Sequence, residues 1–257
     1  MRDSASSWRP VSLTSHVIKT FERILRKQIV WYLEENNLMD PNQHGSRSRR
    51  SCLSQLLQHH DEVLKILEEG ANVDVIYTDF EKAYEKIDNF KLLQKCKNLG
   101  ISGNLGKWLE EFLKNRTQNV LIEGIKSEIT KVNSGSVQGS VLGPVLFLIY
   151  ISDITENVTS DINIFVDDAK VKEKIEDEED VENLQNNLET LYEWQTRNSM
   201  TFNGAKFQVL RYGQDEELKN NTLYFTAQME GFHPSGTLAS FSVTMGNSKI
   251  TYRRFQE

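Results

Sequence analysis

The sequence predicts an α+β fold, in which helices and strands intermingle without the regular alternation of a doubly wound sheet. Three observations support this prediction. Several segments repeat apolar residues at helical spacing, short runs rich in β-branched and aromatic residues lie between them, and no internal repeat is present. The length of 257 residues is enough for one large domain or two small ones.

The composition excludes several classes of protein. Hydrophobic residues make up 38% of the chain, which is enough for a packed core and argues against overall disorder. The 14 glycines, 4 prolines and 2 cysteines exclude collagen-like, coiled-coil and disulfide-scaffold proteins. We expect Cys52 and Cys96 to be reduced thiols of an intracellular protein, in the nucleus or the cytoplasm. No membrane partner is expected, because the longest apolar stretch, residues 141–151, is shorter than the roughly 20 residues that cross a bilayer.

Two amphipathic helices are predicted in the N-terminal part of the chain. Thr14 is a candidate cap for the first helix, whose apolar residues keep helical spacing as far as Leu33. The second helix covers residues 53–67 and ends at Gly70. The loop between them, residues 41–50, is polar and rich in arginine.

The remaining predicted elements are mostly short. The predicted strands are residues 73–78, 117–123, 128–133, 161–166, 207–212 and 222–225, of which the second and third form a hairpin. The predicted helices are residues 92–99, residues 105–113, an apolar helix that Gly139 and Ser140 open and that runs through Tyr150, and residues 178–198. Residues 173–182 hold seven acidic side chains and one basic side chain, and we interpret them as a solvated loop and helix start.

Two groups of carboxylates follow predicted strands. Asp79 comes directly after one strand, and Asp167 and Asp168 come directly after another. Clustered carboxylates raise each other's pKa, so a cluster needs cations, and Mg²⁺ prefers one or two carboxylates together with substrate phosphates. If the two strands are neighbours in one sheet, these carboxylates converge. The alternatives are that Asp79 caps a helix over residues 80–87 and that Asp167 and Asp168 form an ordinary turn.

Six short motifs follow one another along the chain. They are Arg9-Pro10-Val11-Ser12-Leu13-Thr14, Gln43-His44-Gly45-Ser46-Arg47, Asp79-Phe80-Glu81-Lys82-Ala83-Tyr84, Ser134-Gly135-Ser136-Val137-Gln138-Gly139-Ser140-Val141-Leu142-Gly143-Pro144, Phe165-Val166-Asp167-Asp168, and Met200-Thr201-Phe202-Asn203 followed by Lys206. In this order, over roughly residues 9–229, they resemble the motifs of non-LTR retrotransposon reverse transcriptases, especially those of Jockey-like elements. Six motifs in one order are far more specific than any single match.

The resemblance implies the right-hand polymerase fold, with the catalytic carboxylates on an antiparallel palm sheet and with packed helices. It assigns residues 1–72 to the fingers and residues 73–228 to the palm, with an interleaved fingers segment at about residues 89–137. Residues 229–257 do not resemble the family, so we expect a divergent tail and no thumb, in a chain that is truncated at both ends.

The resemblance also implies a metal site. Asp79 and Asp167 are the implied ligands of Mg²⁺, for which Mn²⁺ would substitute, with Asp168 beside them. The backbone carbonyl of Phe80 is implied to complete one coordination sphere. Lys206 is implied to approach the departing pyrophosphate, as a charge stabiliser or general acid.

Substrate binding is implied at further positions of the same motifs. Arg47, with help from Arg49 or Arg50, would hold the incoming triphosphate, since a guanidinium makes paired hydrogen bonds to phosphate oxygens. Tyr84 occupies the family's steric-gate position, where a ring would clash with a 2′-hydroxyl and so favour deoxynucleotides. The other implied substrate-binding residues are Phe80, Gln138, Gly139 and Phe165.

Three functions are consistent with these motifs. The first is an RNA-directed DNA polymerase that uses an RNA template, a DNA primer and deoxynucleotides. The second is a catalytically inactive remnant with weak RNA binding, suggested by departures from the family pattern at Ser46, Glu85, Val137 and Val166. The third is a two-metal hydrolase, which would have no use for the sugar gate at Tyr84. No protein partner is indicated.

The net charge of −7 does not exclude a nucleic-acid partner. The acidic residues are concentrated in residues 173–182, whereas residues 1–51 carry nine basic and five acidic side chains. The basic excess is small, so we expect binding to nucleic acid to be weak and sensitive to salt.

Overall fold

The computed structural model describes residues 11–213, 238–245 and 248–255. Within these residues the α-helices are α1 (His16–Glu35), α2 (Cys52–Glu68), α3 (Asn89–Asn98), α4 (Gly103–Leu113), α5 (Gly143–Tyr150) and α6 (Glu178–Arg197). The strands are β1 (Asn72–Thr78), β2 (Arg116–Gln118), β3 (Leu121–Ile122), β4 (Ile125–Lys126), β5 (Thr130–Val132), β6 (Asp161–Phe165), β7 (Asp168–Ile175), β8 (Gln208–Tyr212), β9 (Leu238–Met245) and β10 (Ser248–Phe255). None of the helices described is both long enough and apolar enough to cross a bilayer.

The chain divides into two compact units. The helical unit comprises residues 1–39 and 82–152 and contains α1, α3, α4 and α5 with two small two-stranded sheets. The sheet unit comprises residues 40–81 and 153–257 and contains α2, α6 and a six-stranded sheet.

An antiparallel sheet with the strand order β6-β7-β1-β8-β10-β9 forms the centre of the sheet unit. Strand β1 is paired along both edges and most of its residues are buried, which suits its apolar residues Val73, Val75 and Ile76, none of which has exposed surface. Helix α2 packs on β1 and helix α6 packs on β7. Charge is also buried here, because Arg211 on β8 forms a bidentate ion pair of 2.8–2.9 Å with Asp74 on β1.

The core of the helical unit is built around α5, all of whose residues except Pro144 are buried. Helix α3 packs against both α4 and α5. Asp88 caps α3 through hydrogen bonds from two backbone N–H groups. At the end of α5, the backbone carbonyl of Tyr150 accepts a hydrogen bond of 2.6 Å from the Lys95 ammonium group. The unit therefore holds its most apolar helix at its centre.

Most predicted helices and strands are confirmed, with corrected ends. Ser15, not Thr14, caps α1, since its side chain accepts the Ile18 N–H. Helix α5 begins at Gly143, not at Gly139, because Gly139 has a φ of +93° and cannot continue a helix. The predicted hairpin is confirmed as two nested strand pairs, β2 with β5 and β3 with β4.

Three predictions differ from the structure or lie outside it. Residues 173–175, interpreted as a loop, belong to β7, a strand that we did not predict. Residues 81–86 form turns, so the alternative in which Asp79 caps a helix is wrong. The predicted strand at residues 222–225 and the first two residues of the opening motif lie outside the described residues.

Candidate active site

The end of β1 carries the first predicted catalytic carboxylate. Thr78, the last residue of β1, pairs with Ala169 on β7, and its hydroxyl donates a hydrogen bond of 3.3 Å to the Ala169 carbonyl. Asp79 follows Thr78 and Asp168 precedes Ala169, so the antiparallel register places both aspartates at the same end of the sheet. The condition stated for convergence is not met, because β6, the strand before Asp167, does not pair with β1. Asp79 and Asp168 share one end of the sheet because β1 pairs with β7.

Asp167 lies in the tight connection between β6 and β7. Phe165 pairs with Asp168, so Val166 and Asp167 form a two-residue hairpin loop. Val166 has a φ of +59°, a left-handed conformation that β-branched residues rarely adopt. The loop holds Asp167 next to Asp168 in the chain while the ladder holds Asp168 near Asp79.

The three carboxylates influence one another electrostatically. Loss of hydration around the carboxyl group, followed by the negative charges of Asp167 and Asp79, raises the pKa of Asp168 above its usual value. The nearby positive charge of Lys206 acts in the opposite direction. A bound cation would relieve the same repulsion more completely.

Lys206 forms an ion pair with Asp79. Lys206 closes a single 3-10 turn (Gly204–Lys206), and its ammonium group contacts the Asp79 carboxylate Oδ2. The Lys206 side chain is 58% exposed and the Asp79 side chain 12% exposed. The lysine therefore lies at the surface and reaches inward to a nearly buried carboxylate.

Phe80 is fixed by aromatic packing and by a backbone bridge. Its ring stacks on Phe202 at a centroid distance of 4.4 Å and contacts Trp194 at 5.9 Å. Two hydrogen bonds form the bridge. The Glu81 N–H donates to the Thr201 carbonyl at 2.8 Å, and the Asn203 N–H donates to the Asp79 carbonyl. Because Phe80 and Phe202 form the pair between these hydrogen bonds, the backbone groups of Phe80 point away from the bridge.

The donor set suits a hard divalent cation that also binds substrate. Across the described residues, no group of three or more His, Cys, Asp or Glu side chains is arranged to hold a metal ion. Mg²⁺ commonly keeps water and substrate phosphates and takes only one or two carboxylates from the protein. Asp79, Asp167 and Asp168 can supply those carboxylates, provided that the Lys206 ammonium yields the Asp79 oxygen.

Arg47 lies in the polar loop between α1 and α2, within the sheet unit. Its guanidinium donates a hydrogen bond of 2.6 Å to the Asp40 carbonyl. Arg50 donates to the Pro41 carbonyl at 2.5 Å, and Arg49 is exposed with a φ of +59°. In this state Arg47 and Arg50 both contact the backbone at the start of their own loop.

Tyr84, Gln138 and Gly139, three further predicted substrate-binding residues, lie in the helical unit. The ring of Tyr84 stacks on Phe147 at 4.9 Å, and the Tyr84 carbonyl accepts the N–H of Ser136 at 2.9 Å. The Gln138 carbonyl accepts the N–H of Ser12 at 2.9 Å. A Cβ atom on Gly139 would lie 3.0 Å from the Ser12 carbonyl oxygen, so backbone approaches backbone closely at that position. The structure thus brings Tyr84 and Gln138 into one packed loop region.

Two buried side chains that were not predicted as site residues contact loops of the candidate site, Glu22 at the loop before α5 and Gln43 at the hairpin loop. Glu22 on α1 has no exposed surface, and its Oε2 accepts the N–H groups of Val141 at 2.6 Å and Leu142 at 3.0 Å. Gln43 is 3% exposed and contacts Val166. The sequence signal for Glu22 was its place between apolar residues of an amphipathic helix. Strand β7 also had a signal, because its apolar residues Ala169, Val171 and Ile175 all fall on alternate positions of the strand.

The fold is similar to that of solved telomerase structures. The chain superimposes on apo telomerase from Candida tropicalis, truncated from its C-terminal domain, with a TM-score of 0.56 and 13% sequence identity, over 76% of this chain and 40% of that chain. At this identity the similarity shows the fold alone, which is a reverse transcriptase and telomerase-like arrangement of mixed helices and an antiparallel sheet.

The chain belongs to the reverse transcriptase (RNA-dependent DNA polymerase) family, which it matches over residues 2–237. It is similar to the RNA-directed DNA polymerase from mobile element jockey of Drosophila funebris, with 28% identity over 211 residues, which are 78% of this chain and 23% of the relative. The polymerase of the same name from Drosophila melanogaster is 29% identical over 176 residues, which are 65% of this chain and 19% of the relative. The predicted reverse transcriptase family is confirmed, and the predicted resemblance to Jockey-like elements agrees with these relatives. The chain spans about a fifth of the length of these relatives.

Proposed function

We propose that this chain is the polymerase region of a non-LTR retrotransposon reverse transcriptase. It would extend a DNA primer on an RNA template by two-metal nucleotidyl transfer, in which the primer 3′-hydroxyl attacks the α-phosphorus of a deoxynucleotide and pyrophosphate leaves. The observation that carries the proposal is the β1–β7 register, which supports a shared role for Asp79 and Asp168 at one end of the sheet.

The carboxylate end of the sheet would hold the metal ions. Asp79, Asp167, Asp168 and the Phe80 carbonyl are the proposed ligands for Mg²⁺ or Mn²⁺. When bound, these ions would supply activation of the hydroxyl and neutralisation of the leaving oxygens. Lys206 would exchange its contact with Asp79 for the departing pyrophosphate, donating a proton or stabilising its charge.

The remaining site residues would select and position the nucleotide. Arg47 would exchange its contact with the Asp40 carbonyl for the triphosphate. The Tyr84 ring would exclude a 2′-hydroxyl, while Gln138 and Gly139 would contact the nucleotide. Phe165, which pairs with Asp168 at the end of β6, would contact substrate beside the carboxylates.

The proposal also divides the chain into polymerase subdomains. Residues 1–72 would form part of the fingers, residues 73–228 the palm with an interleaved fingers segment at about residues 89–137, and residues 229–257 a divergent tail. The assignment rests on the order of the motifs within the family match.

Primer extension with Mg²⁺ tests the proposal directly. Asp167→Asn should lower extension of a DNA primer on an RNA template by more than about 100-fold, since electrostatic groups at the reacting atoms contribute on this scale. Asp161→Asn is the matched control, because Asp161 is an exposed aspartate at the opposite end of β6. It should leave extension unchanged.

The same assay separates the other functions. A folded parent chain that binds RNA without extending the primer would indicate the catalytically inactive remnant. Degradation of the template without extension would indicate the hydrolase.

A further inference from the structure

The segment that precedes Arg47 runs alongside β6 as an extra, parallel edge. The His44 N–H donates to the Ile164 carbonyl at 2.8 Å, and the Ile164 N–H donates to the Asn42 carbonyl at 2.9 Å. These two hydrogen bonds place Gln43 opposite Ile164, two residues before the hairpin loop. The backbone of the loop around Arg47 is therefore joined to the strand that leads to Asp167.

The side chain of Gln43 continues this contact into the hairpin loop. Its Oε1 accepts the Val166 N–H at 2.9 Å and the Gly45 N–H at 2.7 Å, and its Nε2 lies 3.4 Å from the Val166 carbonyl. The side chain is buried, so these hydrogen bonds form away from bulk water. A carboxamide is suited to this arrangement, because it presents an acceptor and a donor to the two backbone groups of one residue.

Val166 needs such support because of its backbone conformation. Its φ of +59° is unfavourable for a β-branched residue, and a conformation of this kind persists only where the surrounding structure imposes it. Gly45 adds to the contact, since a Cβ atom there would lie 2.4 Å from the Val166 side chain and 2.6 Å from its backbone nitrogen. Gln43 and Gly45 therefore enclose Val166 from one side.

We infer that Gln43 is a positioning residue, which holds Val166 in its left-handed conformation and thereby fixes the direction of the adjacent Asp167 carboxylate. The inference rests on the proposed function, since it gives Asp167 a metal-binding role. Gln43 touches neither the carboxylates nor the substrate in this proposal, and it acts through the hairpin backbone alone.

The test compares two buried glutamines of the sheet unit. Gln43→Met removes the amide at nearly constant volume. Gln55→Met makes the same change at a side chain that is also 3% exposed but lies on α2. Mn²⁺ affinity, measured by electron paramagnetic resonance of the free ion, should fall about tenfold or more in Gln43→Met, as is typical when a residue that orients a metal ligand is lost. Gln55→Met should bind Mn²⁺ like the parent chain.

A second variant separates positioning from general stability. Gly adopts a positive φ readily, so Val166→Gly in the Gln43→Met background should recover most of the Mn²⁺ affinity. Hydrogen–deuterium exchange of residues 163–169 without metal should be faster in Gln43→Met than in Gln55→Met. Primer extension should follow Mn²⁺ affinity, with a loss of about 100-fold for a misplacement near 1 Å.

Three outcomes would overturn the inference. Parent-like Mn²⁺ affinity and exchange in Gln43→Met would show that the amide does not hold the loop. Failure of Val166→Gly to restore affinity would show that the backbone of Val166 is not the link. Mn²⁺ binding that is absent from the parent chain, or unchanged by Asp167→Asn, would overturn the proposed function itself, and the exchange data would still show whether Gln43 orders the loop.

Discussion

Two loops that carry predicted site residues are held in different ways. In the sheet unit, the neutral amide of Gln43 holds the hairpin loop at Val166, which lies 123 residues later in the chain. In the helical unit, the buried carboxylate of Glu22 holds the loop before α5 at Val141, which lies 119 residues later. Both side chains bind backbone groups, and both come from a much earlier part of the chain.

The difference between the two side chains follows from their surroundings. A negative charge at residue 43 would lie near the loop that carries Asp167, where burial, followed by the neighbouring carboxylates, already raises the pKa of Asp168. At the start of α5 the backbone N–H groups have no carbonyl partner within the helix, so they and the helix dipole favour an anion instead. The local electric field therefore decides whether a neutral or a charged polar side chain can be buried at each loop.

The substitution that should lower the free energy of unfolding most removes the Glu22 contact in the helical unit. Glu22→Ala should lower the free energy of unfolding by about 4 kcal/mol, because it removes two hydrogen bonds to a charged acceptor, each contributing about 1.5–3 kcal/mol. Urea denaturation followed by circular dichroism measures the change. Glu22→Gln, which keeps an acceptor oxygen but loses the charge, should cost about 1 kcal/mol.

An exposed glutamate on the same helix provides the control for this prediction. Glu35→Ala should change the free energy of unfolding by less than about 0.5 kcal/mol. Equal losses in Glu22→Ala and Glu35→Ala would show that the hydrogen bonds to Val141 and Leu142 contribute little.

The second prediction concerns a buried neutral side chain in the sheet unit. Burial, followed by the positive charges of Lys170, Lys172 and His60, lowers the pKa of His59 from 6.5 to about 4. The unfolded chain therefore binds a proton that the folded chain does not bind between pH 6.5 and pH 4. Stability is fully present above pH 6.5 and is lost as the pH falls, by at most about 3 kcal/mol from this residue.

Urea denaturation between pH 7.5 and pH 4.5 measures this acid sensitivity. His59→Gln should make the free energy of unfolding less dependent on pH, whereas His60→Gln should change this dependence much less, because the charge of this exposed neighbour is the smallest of the causes that lower the pKa of His59. The same pH dependence in all three proteins would assign the acid sensitivity to other groups. Burial and Arg50 also lower the pKa of His44, so a smaller dependence should remain in His59→Gln.

Glycine-to-alanine substitutions should lower the stability least. They are compared at one glycine in each loop, Gly45 and Gly139, and at Gly70, which lies in neither loop. Gly45→Ala should cost about 2 kcal/mol, because the added Cβ would lie 2.6 Å from the backbone nitrogen of Val166. Gly139→Ala should cost about 1–2 kcal/mol, from its φ of +93° and its closeness to Ser12. Gly70 has a φ of +82° and no atom lies within 4 Å of the position of an added Cβ, so Gly70→Ala should lower the stability by about 1 kcal/mol. Thermal unfolding gives the order, and a larger loss in Gly70→Ala than in Gly45→Ala would contradict it.

Local patterns in the sequence predicted most helices and strands of this protein. The helical spacing of apolar residues in α2 and α6 and the largely apolar run of β1 depend on residues close together in the chain, so they are visible without tertiary contacts. The ends of elements were less accurate. Helix α5 begins later than predicted, because the left-handed Gly139 belongs to a loop that Ser12 contacts from a distant part of the chain.

The candidate site was predicted residue by residue through its motifs, whereas its geometry was not. The carboxylates were expected to converge if the strands before them, β1 and β6, were neighbours, which they are not. Asp168 lies at the same end of the sheet as Asp79 because β7, a strand that was not predicted, pairs with β1. The motifs also do not reveal that Lys206 contacts Asp79 or that Arg47 contacts the backbone of its own loop.

The family, the residue types at the predicted site and the mixture of helices and strands follow from the amino-acid sequence alone. The pairing of β1 with β7, the contact of Gln43 with Val166 and the contact of Glu22 with the start of α5 depend on the folded chain. The physical reason is the range of the interactions. Helical and strand periodicity arises between residues a few positions apart, whereas these contacts join residues about 90 to 120 positions apart and form only when the whole chain packs.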